Sequence, residues 1–159
     1  MPIFSMKVNV TTGSSAGTYK TMLGLKMANT LGNIARLRKL IVGGAGEAAA
    51  DVNISVKLDR TNNLADGTST SFNVANIFKN DPKSVASMVN AIGSTYTVEP
   101  TTYDGAVGNL GSFNSRGTIV IEWQRLEGPL WGINQTLGIL LAPGAASATK
   151  VDLGVEWEE

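Results

Sequence analysis

Asp51-Val52-Asn53-Ile54-Ser55-Val56-Lys57-Leu58-Asp59 decides the fold class. Apolar and polar residues alternate without a break, so Val52, Ile54, Val56 and Leu58 fall on one side of an extended chain. A strand of this kind has one dry face and one wet face, the habit of antiparallel sheets. The same two-residue period recurs on either side of it. Upstream it places Phe4, Met6, Val8 and Val10 on one face, then Tyr19, Leu23, Leu25 and Met27. A mixed run that becomes apolar covers Ile34 to Val42. Downstream come Phe72 and Val74 with Ile77, then Tyr96 and Val98, then Ile119, Ile121 and Trp123. Leu137, Ile139 and Leu141 precede a last run with Val151, Leu153, Val155 and Trp157 inward and Lys150, Asp152, Gly154 and Glu156 outward.

Turn residues separate these runs, and no helix-length connection joins them, so a parallel α/β sheet is not expected. One short helix fits Asp81 to Asn90: Asp81 as cap, Pro82 at the first helical position, and Val85, Met88 and Val89 as a buried stripe. An irregular loop fits the same residues. The expectation is an all-β, antiparallel two-sheet sandwich, a jelly roll or a related sandwich, of eight or nine strands with at most one short helix. The 159 residues form a single domain, 1–159.

Composition narrows the chemistry. The chain has no Cys and no His, so it offers no thiolate, disulfide, imidazole base or ordinary zinc site. Thirteen basic residues balance thirteen acidic ones, which argues against general affinity for nucleic acid or an anionic membrane. The balance is uneven along the chain: residues 1–60 are net basic and 61–159 net acidic. The two halves are expected to pair, either within one copy or between copies. No signal peptide and no membrane span is expected.

Several motifs imitate functional ones. Gly44-Ala45-Gly46-Glu47-Ala48-Ala49 has dinucleotide-loop spacing, but a strand rather than a helix follows it, so a hairpin loop is expected and no cofactor. Gly17, Lys20 and Thr21 lack the direct succession of a phosphate loop. The oxygen-rich stretch from Asp59 through Asn62, Asn63 and Asp66 to Gly67 reads as a turn rather than a calcium site. Glu122 and Glu156 each precede a Trp on a strand, a pattern open to glycoside chemistry. With Trp123 and Trp157 in phase with the core, exposed carboxylates beside basic partners are the plainer reading. No catalytic, cofactor or metal residue is assigned.

Two segments are candidate interfaces. Arg36-Leu37-Arg38-Lys39 is the densest basic cluster, with Arg36 and Arg38 on one strand face, Leu37 and Lys39 on the other, and a carboxylate as the expected partner. Leu130, Trp131 and Ile133 stand among turn residues between two strong strands. Trp131 there either caps the end of the sandwich or anchors a contact.

The chain resembles small tailed-phage head-associated β-sandwich proteins that decorate or cement capsids. The likeness is carried by Arg36 to Gly43, Asp51 to Thr61, Asp66-Gly67-Thr68 and Asp81 to Ser87. It continues through Thr97-Val98-Glu99-Pro100, Ser115-Arg116-Gly117-Thr118 and the closing Leu153 to Glu159. It is a likeness of strand texture and loop punctuation over most of the chain, with no shared active site to transfer. It implies a structural virion protein without enzymatic activity, made in the host cytoplasm and seated on the capsid surface. The implied partners are the major capsid protein and further copies of the chain, often as a homotrimer. An alternative is a carbohydrate- or receptor-binding sandwich of a tail or fibre, using Tyr96, Tyr103 or Trp131 as exposed rings. A third is an enzyme built on carboxylates, Ser, Lys or Tyr.

Overall fold

The first and last runs pair with each other. In a computed structural model that describes residues 3–27, 34–44, 51–63, 65–71, 78–79, 91–105 and 107–159, strand β1 (Ile3–Thr11) lies antiparallel to β12 (Lys150–Glu158) along its whole length. Alternation turns Phe4, Met6 and Val10 to the same side as Val151, Leu153, Val155 and Trp157, and all seven are buried. The rings of Phe4 and Trp157 stack with centroids 5.8 Å apart.

The remaining strands are β2 (Lys20–Met27), β3 (Ala35–Gly44), β4 (Asn53–Thr61), β5 (Thr68–Ser71), β6 (Phe78–Lys79), β7 (Ala91–Val98), β8 (Gly108–Asn114), β9 (Thr118–Glu122), β10 (Leu130–Trp131) and β11 (Gln135–Pro143). They form two six-stranded antiparallel sheets. One runs β10-β3-β12-β1-β6, with β9 also on β3; the other runs β5-β7-β2-β11-β4-β8. Leu37, Leu40 and Val42 of the first sheet and Leu23, Leu25, Ile54, Val56, Leu58, Leu137, Ile139 and Leu141 of the second are fully buried in one core. The chain is therefore an all-β sandwich, as the alternation requires.

Among the described residues there are twelve strands, where eight or nine were expected. The additional ones carry little periodicity: β10 has two residues, β5 has four, and β8 is rich in Gly and Asn. The Phe72–Ile77 run and the Asp81–Asn90 helix lie outside the described residues.

The expected faces of the basic cluster need one correction. The register of β12 on β3 shifts between Glu156↔Lys39 and Trp157↔Leu37, which leaves Arg38 as the extra residue of a bulge. The bulge reverses the phase, so Lys39 points outward rather than inward with Leu37. Lys39 then forms an ion pair with Glu122 on β9, which raises its pKa above the ordinary lysine value.

The second sheet is covered on its outer side as well. Residues 99–105 cross it. The Thr21 amide donates to Glu99 Oε2 at 2.8 Å, and Tyr103 Oη and Thr21 Oγ1 share a hydrogen at 2.5 Å. The Gly105 amide donates to Asp59 Oδ1 at 2.8 Å. Asp59 is thereby buried on a face that alternation marks as wet.

Asp66 ties the crossing segment down. Its Oδ2 accepts from the amides of Thr101 and Thr102 at 2.9 and 2.7 Å and from Thr102 Oγ1 at 2.5 Å. Partial burial pushes its pKa up, but the hydrogen bonds from Thr102 and Thr101 outweigh this and hold it at about 2. A carboxylate whose folded value lies below its unfolded one stabilises the fold above the unfolded value. That contribution fades as pH falls from about 4 toward about 2. Melting wild type and Asp66→Ala across this range should show a gap at pH 5 that closes near pH 2.

Candidate functional site

The basic cluster and the loop tryptophan meet at one corner of the first sheet. The two-residue strand β10 pairs with the start of β3, placing Leu130 opposite Arg36 and Trp131 opposite Ala35. The loop between β9 and β10 reaches this position because it closes on itself: the Glu127 amide donates to the Gln124 carbonyl at 3.0 Å. Gly128 permits a close approach, since a Cβ there would fall on the Leu37 carbonyl oxygen. The Leu37 amide then donates to the Pro129 carbonyl at 2.9 Å.

Two arginines hold the loop from below. Arg36 Nη1 donates to the carbonyls of Leu126 and Gly128, the latter at 3.3 Å. Arg60 Nη1, from the other sheet, donates to the Leu130 carbonyl at 3.1 Å, while its Nε pairs with Asp104 at 2.9 Å. Each guanidinium satisfies backbone carbonyls of the segment from Leu126 to Leu130. The expectation of a carboxylate partner finds none for Arg36 among the described residues, where its acceptors are carbonyls. It holds for Arg38, whose Nη1 lies 2.9 Å from Glu158 Oε2. Glu158 is buried and belongs to the same chain.

Trp131 is a core residue, only 1% exposed, and so is not an available contact anchor. Its pairing with Ala35 turns the ring beneath the sheet. Leu130 and Ile133 are half-buried beside it. The corner's accessible apolar groups are instead Leu126, 59% exposed, and Ile34, 55% exposed, which leads into β3.

Leu126 was not marked out by sequence. Its φ is +73°, in the left-handed region that a branched side chain rarely enters. Asn134, four residues beyond Leu130, has φ +60°. These are the two non-glycine residues with positive φ among those described, and they flank β10. The only sequence signal was the Gly128-Pro129 punctuation.

The other candidates resolve as ordinary structure. Asp59 lies on β4 and accepts the Gly105 amide, and Asp66 accepts the amides of Thr101 and Thr102. Trp157 is buried and Trp123 packs half-buried against the core, while Glu122 faces Lys39. Three ion pairs, Arg38–Glu158, Lys39–Glu122 and Arg60–Asp104, join the basic first part of the chain to its acidic remainder within one copy. Tyr96, Tyr103 and Trp131 form no exposed aromatic platform. Tyr96 and Trp131 are buried, and Tyr103 is half-buried with its hydroxyl against Thr21. Burial raises the pKa of both phenols, which keeps them protonated.

Comparison with protein families, with curated proteins and with solved structures found no match.

Proposed function

We propose that this chain is a non-enzymatic structural protein of a bacteriophage virion. It sits on the capsid lattice as a decoration or cement protein that stabilises the head. Its partner is the major capsid protein. Two things support the reading: the resemblance carried by the strand and loop texture, and the sandwich on which those segments lie. The strand orders β1-β12-β3-β9 and β2-β11-β4-β8, with most connections passing between sheets, support the jelly-roll form of that sandwich.

The observation that carries the reading is Leu126. An apolar side chain is held out to solvent in a strained backbone conformation, with its carbonyl bound by Arg36. Strain of this kind is maintained only where the surroundings enforce it, and it gathers at contact and ligand sites. A rigid apolar projection suits a lattice contact, because many weak copies acting together need little affinity each.

Leu126→Gly separates contact from stability. The left-handed conformation costs Leu about 1–2 kcal/mol. Added freedom of the unfolded chain returns about 0.4–1 kcal/mol of that. The variant is therefore expected to melt at or slightly above the wild-type temperature. Its binding to particles stripped of the protein, measured by co-sedimentation, is expected to fall about tenfold or more. Unchanged binding of Leu126→Gly and of Leu126→Asp would overturn the assignment of this corner.

A further inference from the structure

The free edge of β9 points to a second surface, and we propose that two copies of the chain pair through it, antiparallel and two-fold, with Val120 at the axis. β9 lies on β3 in an unshifted register from Lys39↔Glu122 to Gly43↔Thr118. At the two ends of this ladder the Trp123 amide donates to the Arg38 carbonyl and the Gly44 amide to the Gly117 carbonyl, each at 3.0 Å. Hydrogen-bonded pairs recur at every second residue of an antiparallel ladder. Ile119 and Ile121 therefore spend their backbone groups on β3. Thr118, Val120 and Glu122 direct theirs away from it, and among the described residues β9 has no other strand partner.

Natural edges are blunted by lysine, proline, bulges or cover. Thr118-Ile119-Val120-Ile121-Glu122 has none of the first three. Val120 is 54% exposed, and Ile119 and Ile121 are only partly buried. The edge is also self-complementary. Outward-directed groups at 118, 120 and 122 all find partners in one register, the one that sets Val120 against the partner's Val120 and Thr118 against the partner's Glu122. That register satisfies three residues on each chain, and sliding it by two in either direction loses one. It places Ile119 beside the partner's Ile121 on the inner face, twice over. Hydrogen bonding and apolar cover thus agree on a second copy as occupant. The contact closes on two chains, where the resemblance implies three, and it does not depend on the lattice-binding reading.

The absence of cysteine gives a direct test of register. Opposed residues of a hydrogen-bonded pair have Cα atoms about 5.5 Å apart, within disulfide reach. Two copies of residue 118 would lie four residues apart along the pair, about 14 Å. Val120→Cys is expected to cross-link into a covalent dimer under mild oxidation, and Thr118→Cys to remain uncross-linked. Sedimentation of the wild type should give a dimer. Val120→Pro, which removes an amide that β3 does not use, should give a folded monomer. A monomeric wild type, equal cross-linking of the two cysteine variants, or no cross-linking of Val120→Cys would overturn the proposal.

Discussion

Trp157→Ala is expected to lower the stability of the chain by about 3–5 kcal/mol, the usual cost of emptying a large aromatic site in a packed core. The side chain is fully buried and stacks on Phe4 from the neighbouring strand. Its Nε1 donates to Glu159 Oε1 at 2.8 Å, so the one polar atom of the ring is satisfied. Truncation removes both contacts where the first and last strands of the chain meet. At about 2–4 °C per kcal/mol for a domain of this size, the melting temperature should fall by about 6–20 °C. Trp157→Phe keeps the stack and should lose much less. Equal melting of Trp157→Ala and wild type would show that the β1–β12 pair is not the seam that closes the sandwich.

Arg38→Ala is the second large effect. Glu158 is 2% exposed, and the guanidinium of Arg38 is its partner at 2.9 Å. Removing the cation leaves a buried carboxylate without its counter-charge, a change that costs about 3–5 kcal/mol at a well-buried site. Arg38 keeps partial access to solvent, so the lower end of that range applies. Glu158→Gln should cost less, since it leaves no buried charge behind. Replacing both at once, as Arg38→Met with Glu158→Leu, should recover most of the loss. Denaturant titration of the three variants reads the difference. A double variant as unstable as Arg38→Ala would mean that the bulge, rather than the ion pair, is what Arg38 supports.

Much of this architecture was legible as alternation. The runs at Phe4 to Val10, Val52 to Leu58 and Val151 to Trp157 each have one dry face, and each became a long strand with that face in the core. Periodicity is blind to what covers the other face. Asp59 reads as wet because its neighbours on that side are Lys57 and Asn53, yet residues 99–105, some forty positions away, roof it over. It is equally blind to a single inserted residue. The bulge at Arg38 turned Lys39 from the core side to the outer side, and with it the choice of ion-pair partner.

The corner was legible only in part. Arg36, Arg38, Leu130, Trp131 and Ile133 were selected because charge and apolar bulk are conspicuous in a chain of Gly, Ser, Thr and Asn. The structure sets Leu130 against Arg36 and Trp131 against Ala35 through the pairing of β10 with β3. Their roles are another matter. Trp131 stands between Leu130 and Gly132 in what reads as a loop, but two residues of strand suffice to bury it. Arg36 and Arg60 serve loop carbonyls, partners that leave no trace in composition. Leu126, the exposed residue whose carbonyl Arg36 binds, has an ordinary side chain, and its distinction is a backbone angle.

The most direct test of the virion reading is the copy number of this chain in gradient-purified particles from the culture that produces it. Quantitative mass spectrometry would give its ratio to the most abundant particle protein. The account predicts a ratio near one or a simple fraction of it, as lattice occupancy requires. A few copies per particle, or none, would contradict it.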